Sequence, residues 1–118
     1  MMKNNIIKVK SFVFAVSVVS LCKNLQEEKR EYVLSKQLLR SGTAIGALVR
    51  EAEHAESAAD FIHKLSIALK EANETEYWLD LLKETNCIDS DEYEKMSFTI
   101  IELLKLLISI IKTKKSKL

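Results

Sequence analysis

Proline is absent from this chain, and glycine occurs only twice, at Gly42 and Gly46. Turns are therefore few, which disfavours a fold of many short strands and favours long helices joined by short links. Cysteine is nearly as scarce. Cys22 and Cys87 form no C-x-x-C pair, so no structural zinc site and no disulfide framework is expected. Charge of one sign is lacking as well: eighteen basic and seventeen acidic side chains leave a net +1. That total says nothing about a partner; the distribution along the chain is what bears on one. No apolar run reaches the roughly 20 residues that cross a bilayer. The stretch FVFAVSVVSLC, Phe12 to Cys22, has the length of a secretion-signal core and follows Lys3, Lys8 and Lys10. It lacks a small-residue cleavage site. The expectation is a cytoplasmic protein with no membrane partner.

What remains is a globular composition, 47% hydrophobic and 30% charged over 118 residues, enough for one domain. The pattern divides it into four helical segments, at about 9–28, 31–55, 58–86 and 90–112. The clearest is the third. Phe61, Leu65, Ala68, Ala72, Thr75, Leu79 and Leu82 recur at alternating spacings of four and three, the stripe of an amphipathic helix. Ser57 with Asp60 three residues on forms a box-like start, and Asn86 is a stop signal. The last helix begins after Asp89 or Ser90, with acids in its first turn and lysines in its last, as the helix dipole favours. In the second, Tyr32, Leu38, Ile45, Leu48 and Val49 supply the large apolar side chains. In the first, Phe12, Val16, Val19 and Cys22 give one stripe, although Val13, Phe14, Val18 and Leu21 are apolar too. Short links force neighbouring helices to be antiparallel, so the fold class is all-α, an up-down-up-down four-helix bundle in a single domain, 1–118.

Two features point beyond a monomer. From Phe98 to Ile111, ten of fourteen residues are Phe, Ile or Leu, and they face nearly every direction. The first helix is similarly apolar between Phe12 and Cys22, and a helix apolar all round must be covered by more protein. Ile101, Leu104 and Ile108 are the candidates for subunit contact there, with Trp78 on the third helix divided between core and interface. The second feature is the pair Gly42 and Gly46. Both lie on one face of the second helix, among Ser41, Ala44 and Ala47, each costing roughly 1 kcal/mol of helix propensity relative to alanine. Such a bare face admits a helix at close range, either inside the bundle or from another subunit.

Chemistry-bearing motifs are sparse. Glu51-x-x-His54 and Asp60-x-x-His63 have the spacing that places two metal ligands on one helical face. A di-metal bundle site also needs inward carboxylates from the other helices, where only Glu102 is available, and both histidines fall near a link. No nucleophile elbow, phosphate loop or dinucleotide fingerprint occurs. The expectation is no enzyme, no metal and no cofactor. Glu71, Glu74 and Glu76 are expected to form a solvated face or to pair with Arg40 or Arg50. Charge is segregated along the chain. An antiparallel bundle brings Lys3, Lys8 and Lys10 to the same end as Lys112, Lys114, Lys115 and Lys117. That end also receives Arg50 and Lys64, diluted by Glu51, Glu53, Glu56 and Asp60. These seven lysines are the candidate contacts for RNA or DNA phosphates, without base reading because no aromatic interleaves them.

The block LSKQLLRSGTAIGALVREAEHAESAADFIHKLSIALKEANETEYWLDLL resembles a known family. The matching features are Gln37, Arg40, the small-residue run Ser41–Ala47, Glu51, Ser57-x-x-Asp60-Phe61, and Leu65-x-Ile67-Ala68 leading to Glu76. The chain is similar to the four-helix-bundle proteins encoded by intervening sequences of bacterial large-subunit ribosomal RNA genes. The accessory variability protein of diversity-generating retroelements is a relative. The resemblance implies an antiparallel bundle assembled into a homopentamer, with small residues of the second helix permitting tight contacts in the ring. For the retroelement relative it implies nucleic acid and a reverse transcriptase as partners. This chain has Leu48, Arg50, Ala52 and Ala55 where the family version commonly has Asn, Ala, Gly and Arg. A scaffold or interaction protein is the function expected, with an assembly that binds only protein as the alternative and a di-metal bundle enzyme as the third reading.

Overall fold

The computed structural model describes residues 2–118, and side chains from Ile6 onward. Four helices account for nearly all of it: α1 (Met2–Glu28), α2 (Leu34–Ala52), α3 (Ala58–Glu84) and α4 (Ser90–Lys115). Sequential helices pack side by side, α4 returns to α1, and the diagonal pairs stay apart. The result is a square antiparallel bundle of 47 × 21 × 19 Å. Its length suits helices of 27 residues at about 1.5 Å per residue.

The links stop the helices by identifiable chemistry. Ser57 caps α3 by accepting the Asp60 amide at 3.0 Å, and Asp60 accepts the Glu56 amide at 3.2 Å. Asp89 caps α4 through the Glu92 amide at 2.8 Å. Asn86 ends α3 in the left-handed region, at φ 61°. Its amide donates to the Lys83 carbonyl and that of Cys87 to the Leu82 carbonyl, the paired bonds of a Schellman stop. The second helix starts three residues later than the pattern suggests. Arg30, at φ 54°, turns the chain. The Glu31 carboxylate then accepts the amides of Val33, Leu34 and Ser35, so Glu31 caps α2 from outside it. At the other end α2 stops at Ala52, and 53–57 form the link. In α1 the helix extends back to Met2, seven residues before the expected start.

The core runs the length of the bundle. On α3 the buried set is Ile62, Leu65, Ala68, Ala72, Thr75, Leu79 and Leu82, with Phe61 half-buried beside it. On α1 only Cys22 of the named stripe faces the core. Phe14, Val18, Leu21, Cys22 and Leu25 face the core with Ile7 and Ser11, while Phe12, Val16 and Val19 face outward. Both sides of this helix are apolar, so its inward side is set by neighbours and not by period. Tyr32, which sits in the link, is exposed.

Gly42 and Gly46 lie where α2 crosses α1. A Cβ on Gly42 would meet the Val18 Cγ2 at 2.8 Å, and one on Gly46 would meet the Ser11 carbonyl oxygen at 3.3 Å. The bare face is therefore filled by a helix of the same chain. Lower in the same seam, the Cys22 thiol donates to the Ser35 carbonyl at 3.3 Å. Burial, and secondarily the Glu31 charge, pushes that thiol up to about 11.

Candidate functional site

The basic end gathers the start of α1, the α2–α3 link and the end of α4. Contacts within the chain engage part of its charge. Lys8 pairs with Glu53 at 3.1 Å and Lys10 with Glu102 at 3.0 Å. The Lys114 ammonium stands 4.9 Å above the Phe61 ring. Lys64 pairs with Glu51 at 3.3 Å, and the Arg50 guanidinium covers the Phe12 ring at 5.1 Å. Exposed pairs of this kind hold side chains in place but add at most about 1 kcal/mol each. Lys112, Lys115 and Lys117 are exposed and make no ion pair among the described residues. Lys3 lies outside the described side chains. The positive group exposed at this end is thus narrower than the seven lysines counted along the chain.

The histidines do not form a metal centre. His54 and His63 are both exposed, Glu51 is taken by Lys64 and Asp60 by the cap of α3. Among the described residues no three His, Cys, Asp or Glu side chains come together in a way that could hold a metal ion. No helix among the described residues is long and apolar enough to cross a membrane.

The outer side of α1 is where the apolar run Phe12–Cys22 reaches the surface. Ile6, Val9, Phe12, Val13, Val16 and Val19 are all exposed, Val9 at 62% and Val13 at 57%. Residues 11–22 carry no charge on any side of the helix. That charge gap is the signal that marks the face, once the core side has been assigned to Phe14 and Val18. On α4 the outer side is mixed. Phe98, Ile101 and Ile108 are exposed, Leu104 is half-buried against the core, and Lys105 stands among them. Isolated exposed apolar residues are ordinary, but a continuous stripe over four turns is not.

A third surface lies where α2 meets α3. Arg40 bridges Glu71, at 3.1 Å, and Glu74. The Trp78 indole N–H donates to Glu74 at 2.9 Å, and its ring meets Tyr77 edge-on at 5.1 Å. The Trp78 hydrogen bond, followed by that from Arg40, holds the Glu74 carboxyl below its ordinary value. The same arrangement raises the Arg40 guanidinium further, its bond to Glu74 being the largest cause. Trp78 is half-buried against the core of its own bundle. The glutamates pair with Arg40 inside the subunit, while Arg50 is engaged elsewhere.

The model of the 23S rRNA-intervening sequence protein family matches residues 3–109. The chain belongs to this family. One solved structure of the family has a TM-score of 0.92 and 60% identity, over 93% of this chain and 98% of the other. It is described as a protein with unknown function from the S23 ribosomal protein family, from Bacteroides thetaiotaomicron VPI-5482. No curated protein matches. Family membership therefore fixes the bundle and leaves the activity to be read from surfaces. For this intervening-sequence protein those surfaces are the outer side of α1, the basic end and the Arg40 bridge.

Proposed function

We propose that this chain is a non-enzymatic scaffold that assembles as a homo-oligomer, with five copies favoured, and meets its partners through the assembled surface. The observation that carries the reading is the exposed apolar stripe of α1, from Ile6 to Val19, which is without charge of its own from residue 11 onward. Burying a Val side chain is worth about 1.5–3 kcal/mol relative to leaving it in water, so six apolar groups aligned on one helix supply a strong drive toward association. A second copy of the same chain is always present to supply it. The preference for five rests on the family resemblance.

Sedimentation equilibrium at micromolar concentration tests this. The expected mass is a multiple of the 13.5 kDa chain. Val13→Glu, placed on an exposed position, should shift the protein toward monomer while its helical circular dichroism stays intact. A wild-type monomer, or a Val13→Glu protein that assembles as before, overturns the reading.

Exposed Lys112, Lys115 and Lys117 favour a second, subordinate role, non-specific contact with RNA or DNA phosphates. Such binding is weak, blind to sequence and steeply salt-dependent. Fluorescence anisotropy with short RNA and DNA at low and near-physiological salt measures it. Truncation after Ile111 should remove most of the binding and leave the oligomer whole. If wild type fails to bind at low salt, the assembly is one that meets protein alone. A reverse transcriptase is one such partner class, brought in by the family resemblance.

A further inference from the structure

All four helices and the α2–α3 link meet around a cleft of about 420 Å³ at the basic end. Its floor is apolar: Ile7 from α1, Val49 and Ala52 from α2, and Leu65 from α3, all buried. Ala55 and Ala58 narrow its sides, and the Phe61 ring makes one wall. The small side chains leave the space, because the chain must turn from α2 into α3 over five residues without bulk. The polar side chains among the lining residues are exposed or half-exposed. They are Ser57, which caps α3, and two charged groups, Glu53 and Lys114. Glu53 is already paired with Lys8 at 3.1 Å. Among the described residues the Lys114 ammonium has no carboxylate partner and stands 4.9 Å from the Phe61 ring. The rim therefore carries one uncompensated positive charge above an apolar pit.

That arrangement has the general form of a small-molecule site: concave, mainly apolar, with a few polar groups that set orientation. Its volume falls near the lower end of the usual 300–1,000 Å³ for such sites. We infer that the cleft binds a small amphiphilic monocarboxylate, its hydrocarbon part against Ile7, Val49, Phe61 and Leu65 and its carboxylate on Lys114. Charge complementarity selects the class. One free ammonium beside a neutralised glutamate suits a single negative charge, and a cationic or dianionic head would be left partly unpaired. Transfer of the hydrocarbon out of water supplies the affinity. The half-exposed ion pair supplies orientation and a smaller share. This site is separate from the outer face of α1, so it stands whether or not the chain assembles.

Octanoate is the probe, with octanol and octyltrimethylammonium as head-group controls, titrated into the isotopically labelled full chain and followed by amide NMR shifts. The expected result is saturable movement of Ala52, Ala55, Ala58, Phe61 and Leu65 resonances by octanoate, weaker movement by octanol, and none by the cation. Lys114→Gln should weaken octanoate about two- to five-fold and leave octanol unchanged. Ala58→Phe should fill the cleft and abolish both, with an unchanged melting temperature showing that the fold survives. If Ala58→Phe unfolds the chain, Ala55→Leu is the filling variant. The inference is overturned if octanoate shifts nothing below its aggregation concentration, if the shifts centre on Val9, Val13 and Val16, or if Lys114→Gln binds octanoate as wild type does.

Discussion

A side chain at position 42 would strike Val18: its Cβ would fall 2.8 Å from one methyl of that valine and 3.0 Å from the other. Val18 is fully buried and β-branched, so in a helix its χ1 has little freedom to yield. Gly42→Ala gains about 1 kcal/mol of helix propensity and meets an overpacking cost of about 1–3 kcal/mol. Urea denaturation should show a net loss. Val18→Ala should destabilise alone, yet the double variant should be more stable than the two losses predict, by over about 0.5 kcal/mol. Strict additivity would mean that the two residues do not share the space.

Gly46 tests the same crossing against backbone. Its neighbour is the Ser11 carbonyl oxygen at 3.3 Å, which no rotamer change can move. Gly46→Leu should lower stability by about 1–3 kcal/mol or part the α1–α2 seam. A raised melting temperature in that variant would contradict the close approach.

The Cys22 thiol gives a pH signature. Its folded value of about 11 exceeds its ordinary 9.0 because the charged form is buried. Between those limits the unfolded chain has lost a proton that the folded chain keeps, so stability must fall as pH rises from about 9 to about 11. The contribution is on the order of 2 kcal/mol across that window. Urea midpoints at pH 8, 9.5 and 10.5 should decline more for wild type than for Cys22→Ala. At pH 8, alkylation should reach half-buried Cys87 well before Cys22. Parallel pH curves for the two proteins would rule out this assignment.

Glu74 gives the opposite signature in acid. Its folded value is lowered, so its contribution is complete above the ordinary glutamate value and is lost as pH falls through the lowered one. The side chain is about a third exposed, which limits the effect to below about 1 kcal/mol. Glu74→Gln should melt slightly earlier than wild type at pH 7, and the difference should shrink as pH falls below the ordinary glutamate value. A difference unchanged by acid would mean that the Arg40 bridge contributes nothing through charge.

The sequence carries most of the bundle because local chemistry places its breaks. Ser57, Asn86 and Asp89 each act within a few residues of themselves, and each does in the structure what its position suggests. The α3 stripe was legible for the same reason, apart from the exchange of Phe61 for Ile62. Glu31 was missed as a cap because its reach extends forward over the bend at Arg30. The inward face of α1 was not legible because Phe12, Val16 and Val19 are as apolar as Phe14, Val18 and Leu21. Tertiary contacts such as Val18 against Gly42 and Ser11 against Gly46 decide between them. The lysines could be counted at one end, but Lys8–Glu53 and Lys10–Glu102 depend on tertiary register. The cleft is invisible along the chain because its lining comes from residues 7, 49–65 and 114.

Each helix packs on its neighbour in sequence, and only the α1–α4 side joins the two ends of the chain. This order has a consequence in time. Local pairings close fast, so a bundle of this kind folds in microseconds to milliseconds. Synthesis adds about 5–20 residues per second. The α1–α2 and α2–α3 pairings therefore become available while α4 is still being made. During that interval α1 shows water both its outer stripe and the side that α4 will cover. The last helix to emerge is the one that closes the core, and Lys10–Glu102 marks where it lands.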